Sequence, residues 1–246
     1  MRIEGAVALV TGANRGLGAA LAQELLARGA AKVYAAARDP AAIDDPRLVP
    51  VRLDLANEAD IAAAAARCAD VGLLVNNAAT AHGTPLIGAA STAAAREEME
   101  VNYFGTLGMC RAFAPVLAAN GGGALVNMLS IVSFFSVPAM GSFCASKAAL
   151  WSLTNGVRVE LRGQGTLVTA VHASFIDTRL ANGFAGPKHS TADIAALIRA
   201  AVEEGREEVL ADDRTAGIKA ALPDDLERIY PEVERQWQAA QRGPAS

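Results

Sequence analysis

The sequence predicts a single, doubly wound α/β domain built around a mostly parallel sheet. Three observations carry that prediction. Short β-rich apolar runs alternate with alanine-rich helical stretches for most of the chain. A glycine-rich turn follows the first run and opens the first helix. The length, 246 residues, suits one large domain better than two small ones. Strands separated by helices pair in parallel through right-handed crossovers. Hydrophobic residues make up 52% of the chain, much of it alanine and valine, as expected for helices packed closely on a buried parallel sheet.

Residues 6–10, 32–36, 48–53, 73–75, 123–128 and 167–172 read as strands, each a short apolar run bounded by turn residues. Between them, residues 17–28, 58–66, 93–118, 144–162 and 191–204 read as helices. The least regular stretch, 179–190, carries Asn-Gly and then Gly-Pro. It reads as a mobile loop on the substrate side, ending in a helix cap at Ser190 or Thr191. A polar helical segment from Asp224 to Arg242, interrupted at Pro231, makes 224–246 a C-terminal surface segment. No internal repeat or linker divides the chain.

The net charge is −4, with mixed signs and no basic block, which gives no electrostatic reason to expect nucleic acid or an anionic membrane. No apolar run reaches membrane-spanning length, and no targeting segment is read at the N-terminus. The three cysteines, Cys68, Cys110 and Cys144, are odd in number and lack metal-ligand spacing. Free thiols in a reducing, cytoplasmic compartment are therefore expected, without a disulfide framework or a bound metal.

The turn after the first strand reads Thr11-Gly12-Ala13-Asn14-Arg15-Gly16-Leu17-Gly18. Gly12 suits the tight turn, Gly16 a close approach of backbone to pyrophosphate, and Gly18 close packing of helix on strand. The helix start then offers N–H groups and a positive dipole end to phosphates. This is the dinucleotide-binding pattern of a Rossmann-type fold. The second strand ends Ala35-Ala36-Ala37-Arg38-Asp39. A site preferring NAD wants a carboxylate at the strand tip for the ribose 2′-OH. Ala37 instead leaves room for a phosphate, and Arg38 with Arg15 can hold it through charge-assisted pairs. NADP(H) is the expected cofactor. Were the strand to end one residue later, Asp39 would reach the 2′-OH instead.

Together with the glycine turn, further motifs make the chain resemble the short-chain dehydrogenase/reductase family over nearly its whole length. Asp54-Leu55 resembles the family's adenine-contacting pair, and Asn76-Asn77-Ala78-Ala79 its Asn-Asn-Ala-Gly element. Asn102 matches the asparagine that holds a structural water in the proton relay, and Ser130 the catalytic serine. Thirteen residues further on, where the family has Tyr-x-x-x-Lys, the chain reads Phe143-Cys144-Ala145-Ser146-Lys147. The resemblance implies a single-domain Rossmann fold with a mostly seven-stranded parallel sheet. It also implies that Lys147 bonds the nicotinamide ribose and lowers the pKa of a tyrosine at position 143. Thr178 matches a threonine that touches carboxamide or phosphate, and Ile176 a residue whose backbone reads the carboxamide. Ser174 stands where the family usually has the glycine of Pro-Gly, after Ala173.

Phe143 keeps the ring and loses the hydroxyl, so position 143 delivers no proton. Loss of a general acid costs on the order of 100- to 10,000-fold. Three accounts remain open: an engineered Tyr-to-Phe change that cripples a ketone or alcohol oxidoreductase, a natural variant reducing C=N, and an NADP(H)-binding scaffold or sensor without turnover. An iminium ion, already protonated on nitrogen, accepts hydride without an enzymic acid. Cys144 lies about 100° around a helix from position 143, a poor place for a substitute acid. His172, at a strand end, reads as a packed or solvated histidine before a second acid.

Phe134, Phe135, Val137, Met140, Leu180 and Phe184 are expected to line the substrate side. They are apolar, with no arginine or lysine set to hold a carboxylate, which favours an apolar ketone, imine or secondary alcohol. The resemblance implies that the helices over 93–118 and 144–162 pair between subunits in a homodimer or homotetramer.

Overall fold

A computed structural model describes residues 1–182 and 186–242. Strands β1 (Val7–Thr11), β2 (Lys32–Ala37), β3 (Val49–Arg52), β4 (Leu73–Asn76), β5 (Ala124–Met128), β6 (Leu167–His172) and β7 (Glu208–Leu210) form one parallel sheet in the order β3-β2-β1-β4-β5-β6-β7. The architecture is the single doubly wound α/β domain that the alternating pattern predicts. β7 has only three residues, Glu-Val-Leu, too few to stand out as an apolar run, and it completes the sheet by pairing with β6.

Period-two alternation sends successive side chains to opposite layers. Ala8 and Val10 meet α1 (Gly16–Ala27) and α6 (Thr191–Glu204) on one face, through Leu17, Leu21, Ile194 and Ile198. Leu9, between them, joins the other face, covered by α2 (Glu58–Arg67), α4 (Thr106–Ala119) and α5 (Gly141–Leu161) through Ile61, Phe113 and Leu150. Because both faces are covered, the strands read as continuous apolar runs.

The helix expected over 93–118 is interrupted. It starts as α3 (Ala93–Met99), widens into one π-turn at Glu100–Gly105, and resumes as α4. The turn carries Asn102 and Gly105 to buried positions, and a Cβ on Gly105 would stand 2.7 Å from both Cβ and the carbonyl oxygen of Leu55. Hydrophobic periodicity cannot register one inserted residue in a long helix, which is why the sequence reads as unbroken. α5 begins at Gly141, earlier than expected, so Phe143 lies inside the helix, one turn before Lys147. α6 spans residues 191–204 as expected, and Ser190 caps it by accepting the Asp193 N–H at 3.0 Å.

After β7 come α7 (Asp213–Ala220), α8 (Asp225–Arg228) and α9 (Tyr230–Arg242). The break falls at Ile229, and Pro231 lies in the first turn of α9, where its missing N–H costs nothing. Ile229 is buried, so the segment read as surface is pinned near its start. Gly105→Ala should destabilise the fold by about 1–3 kcal/mol, since backbone of Leu55 must move to admit the methyl. A thermal melt should show a fall in Tm of several degrees, and an unchanged Tm would mean the π-turn is not held by that contact.

Candidate active site

The strand order reverses between β1 and β4, and in open α/β sheets that switch point is where ligands sit, beyond the carboxyl ends of the strands. Thr11 ties the two lips of this crevice together. Its Oγ1 accepts the N–H groups of Asn77 at 2.9 Å and Ala78 at 3.0 Å, while Asn77 Nδ2 donates to the Thr11 carbonyl at 2.9 Å. Gly12 has φ +67°, and a Cβ there would press on Ala78 Cα at 3.1 Å. Gly18 packs so closely that a Cβ would run into the Gly12 carbonyl. Leu17 is buried beneath the turn, Asn14 half-buried at its edge, and Ala79 half-buried beside Ala78.

Arg15 is the N-cap of α1 and makes no side-chain cap bond, and the first turn carries no acidic residue. By contrast Asn57, Ser190 and Asp212 each cap their helix. The leading amides of α1 are thus left to a ligand, and a glycine cradle stands in front of them: the residues present fit a dinucleotide pyrophosphate. Thr178 closes the cradle from the far side, its methyl 3.4 Å from the place a Gly16 Cβ would take.

β2 ends at Ala37, which is buried, while Arg38 and Arg15 are exposed; among the described residues neither guanidinium forms an ion pair. The Asp39 carboxylate is engaged locally, accepting the Ala41 N–H at 3.0 Å. Asp54 likewise accepts the Ala56 N–H at 3.1 Å and donates its own N–H to Asp60, and Leu55 lies buried against Gly105. These facts leave the strand tip free of a competing acid.

Beyond β5, Ser130 caps the short turn Ile131–Ser133: its Oγ accepts the Val132 N–H at 3.3 Å, and Ser133 Oγ accepts the Ser130 N–H at 3.1 Å. The Ser130 hydroxyl hydrogen remains to be donated. Lys147 is buried and donates from Nζ to the Met128 carbonyl at 2.8 Å. Burial pulls its ammonium down to about 8. That ammonium lies over the Phe143 ring, 5.7 Å from its centre, a cation–π contact on one helix face. Phe143 itself is 4% exposed, packed with Ile131, Val132 and Cys144 and flanked by Phe135, Val137 and Met140.

Asn102, delivered by the π-turn, is fully committed to protein groups. Oδ1 accepts the Thr80 N–H at 2.8 Å, and Nδ2 donates to the Thr80 carbonyl and to Ser146 Oγ, both at 2.9 Å. Ser146 in turn donates to the Phe143 carbonyl at 2.8 Å. The side chain therefore clamps the loop after β4 onto α5. Sequence reasoning missed Ser146 and also a buried ladder in which Asn76 donates to Asn127 and Asn127 to Thr154. Polar residues inside apolar strands were the available signal.

His172 is wholly buried, stacked on Phe134 with centroids 4.2 Å apart, and its Nδ1 lies 3.3 Å from the Ser130 carbonyl. Burial pushes its pKa down to about 4, so it is neutral at physiological pH and supplies no acid. Phe134, expected to face substrate, packs between His172 and Trp151. It also borders, with Phe135, Leu86 and Tyr230, a cleft of about 280 Å³ beside Cys144. Val137 and Met140 are half-buried against the Phe143 cluster, and Leu180 is exposed. Phe184 lies outside the described residues. Ser174 needs no glycine-like backbone, since no described non-glycine residue has positive φ. Its N–H donates to Asp212 at 3.0 Å, a partner the sequence did not reveal.

Fold and glycine cradle together are those of a dinucleotide-binding Rossmann domain, with Ser130 beyond β5 and Lys147 on α5. The profile of the short chain dehydrogenase family matches residues 6–186. The chain is 43% identical to a short chain dehydrogenase from Burkholderia cenocepacia J2315, solved in complex with NADP, with a TM-score of 0.90 over 95% of this chain and 99% of that one. It is 34% identical to a sorbitol dehydrogenase of Cereibacter sphaeroides over 72% of this chain and 73% of that protein. A Burkholderia phymatum short chain dehydrogenase/reductase in complex with NAD shares 25% identity, with a TM-score of 0.78 over 92% of this chain and 96% of that one. The chain belongs to the short-chain dehydrogenase/reductase family. Among its described residues no helix is long and apolar enough to cross a membrane.

The depressed His172 pKa has a sign. Between about 4 and the ordinary 6.5 the unfolded chain holds a proton that the folded one refuses, so stability is present above that window and is lost as pH falls through it. Urea melts at pH 7 and pH 5 should show this loss in the native chain and a flatter acid limb in His172→Gln. Equal pH dependence of the two would refute the assignment.

Proposed function

We propose that the chain binds NADP(H) and is built to move hydride between that cofactor and the carbonyl or carbinol carbon of an apolar substrate, with the acid hydroxyl missing at position 143. The observation that carries the cofactor choice is the tip of β2: Ala37 in place of an acid, Asp39 turned to Ala41, and Arg15 and Arg38 exposed and without ion pairs among the described residues. The Burkholderia cenocepacia relative bound to NADP supports it.

NADPH, when bound, supplies the hydride. Lys147 would hold the nicotinamide ribose, with an ammonium that burial has already made easier to deprotonate. Ser130 would donate its hydroxyl hydrogen to the substrate oxygen and orient the carbonyl. Phe143 contributes only the face of a ring, so the negative oxygen formed on hydride arrival has no acid of suitable strength beside it. Ketone reduction by this chain is accordingly weak, as an engineered Tyr-to-Phe change would leave it. Phe135, Val137 and Met140, packed against the Phe143 cluster, support an apolar substrate body.

A second reading, reduction of C=N, is favoured by one observation: position 143 carries an aromatic ring without a hydroxyl. An iminium ion, already protonated on nitrogen, accepts hydride without an enzymic acid. Phe104 and Val159, both exposed apolar residues, support pairing of subunits through the two long helices, as a homodimer or homotetramer. The three free buried thiols suit a cytoplasmic setting.

NADPH consumption with ketone and cyclic-imine panels, run on the native chain and Phe143→Tyr, tests the reaction. Ketone reduction should rise on the order of 100- to 10,000-fold in the tyrosine variant. Imine reduction by the native chain that Phe143→Tyr does not improve would favour the second reading, and cofactor binding without turnover by either would leave only a scaffold or sensor. Removing both Arg15 and Arg38 by alanine should weaken NADPH binding about 10- to 100-fold with little effect on NADH. A native preference for NADH would overturn the cofactor assignment.

A further inference from the structure

The segment after β6 that would meet the nicotinamide is held by one carboxylate from the far edge of the sheet. β6 and β7 run in parallel register, with His172 opposite Leu210, and Ala211 N–H donates to the His172 carbonyl at 2.8 Å. Continuing that register by two residues places Asp212 beside Ser174. Asp212 Oδ2 accepts the Ser174 N–H at 3.0 Å, and Oδ1 accepts the Thr215 N–H at 2.8 Å and the Thr215 hydroxyl at 3.0 Å. His189 Nε2 stands 3.5 Å from Oδ2. The carboxylate is thus an α7 cap and a strap at once.

His189 comes from the other end of the loop and is itself stitched to the same segment. Its N–H donates to the Phe175 carbonyl at 2.8 Å, and its carbonyl accepts the Asp177 N–H at 2.9 Å, a one-residue parallel bridge centred on Ile176. Arg214, two residues after Asp212, lies over the Phe175 ring at 5.4 Å. Thr178, at the end of the segment, is the residue that meets Gly16. Both ends of the loop therefore converge on Asp212, and Thr178, at the end of the segment, reaches the phosphate cradle. The side chain of Asp212 is only 8% exposed. Burial alone would raise its pKa, but the bonds from Ser174 and Thr215 outweigh burial and hold it below the usual carboxylate range.

We propose that Asp212 is a positioning residue for the nicotinamide half of the cofactor: it sets the backbone of residues 174–178 against Gly16 in place of the Pro-Gly turn this chain lacks. The proposal rests on the NADP(H) reading above. It separates the two halves of the site, since the adenosine phosphate end is held by Arg15, Arg38 and the amides of α1, none of which touches Asp212.

That separation gives the experiment. NADPH and 2′,5′-ADP, which lacks the nicotinamide half, are titrated against the native chain, Asp212→Ala and Asp212→Asn. Bound NADPH is also followed by its own fluorescence, and tryptic cleavage at Arg179 and Lys188 is timed with and without it. Asp212→Ala should weaken NADPH about tenfold, as expected for a lost charge-assisted bond, dull its fluorescence enhancement, and remove its protection of both tryptic sites. Its affinity for 2′,5′-ADP should stay within about twofold of native. Asp212→Asn, which keeps one acceptor oxygen, should fall between. Equal weakening of both nucleotides, or of neither, overturns the positioning role. A native chain that retains neither nucleotide overturns the cofactor reading itself, and this proposal with it.

Discussion

The Thr11 hydroxyl, shared between the ends of β1 and β4, is the contact on which the rest of the site depends. A doubly wound sheet opens a crevice wherever its strand order reverses, but an open crevice between two strand ends has no fixed width. Thr11 sets it by accepting two successive amides from Asn77 and Ala78, with Asn77 returning a bond to the Thr11 carbonyl. Buried backbone N–H groups cannot be left unpaired without a cost of about 1–3 kcal/mol each, so this arrangement is favoured over any that splays the lips. The close fits of Gly12 on Ala78 and Gly18 on Gly12 are possible because the lips are held.

A second polar layer carries that geometry across the sheet to α5. Asn76 to Asn127 to Thr154 links β4, β5 and α5 in the dry interior, and Asn102 links the loop after β4 to Ser146. Directional bonds in a low-dielectric interior specify one arrangement, where apolar packing alone would tolerate several. They fix the rotation of α5, and with it the face that carries Phe143 and Lys147. The buried Lys147 ammonium then finds one carbonyl, Met128, and one aromatic ring. Its lowered pKa follows from that sparse company: two partners do not replace the hydration it lost.

Much of this was legible in the residues. The alternating pattern specified the fold class and six of seven strands, because strands buried on both faces must be apolar throughout. The glycine spacing marked the cradle, because few residues other than glycine survive backbone contact at that distance. The spacing of position 143 and Lys147 marked one helix face, because residues four apart share it. β7 escaped notice at three residues, and the π-turn at 100–105 escaped because a one-residue insertion leaves helical periodicity nearly unchanged.

What the sequence by itself determined, then, is local: which segments form strands and helices, where backbone must pass closely, and that the hydroxyl at 143 is absent. Only the tertiary structure decided the partners. Asn102 meets Thr80 and Ser146, His172 meets Ser130 and Phe134, and Ser174 meets Asp212, from residues 22 to 44 positions apart. The physical reason is that a hydrogen bond is a matter of a few tenths of an ångström and of direction. Those are set by strand register and helix rotation, which no local pattern of residues encodes. The same reason explains His172, whose strand-end position is readable but whose neutrality follows from burial under Phe134 and Trp151.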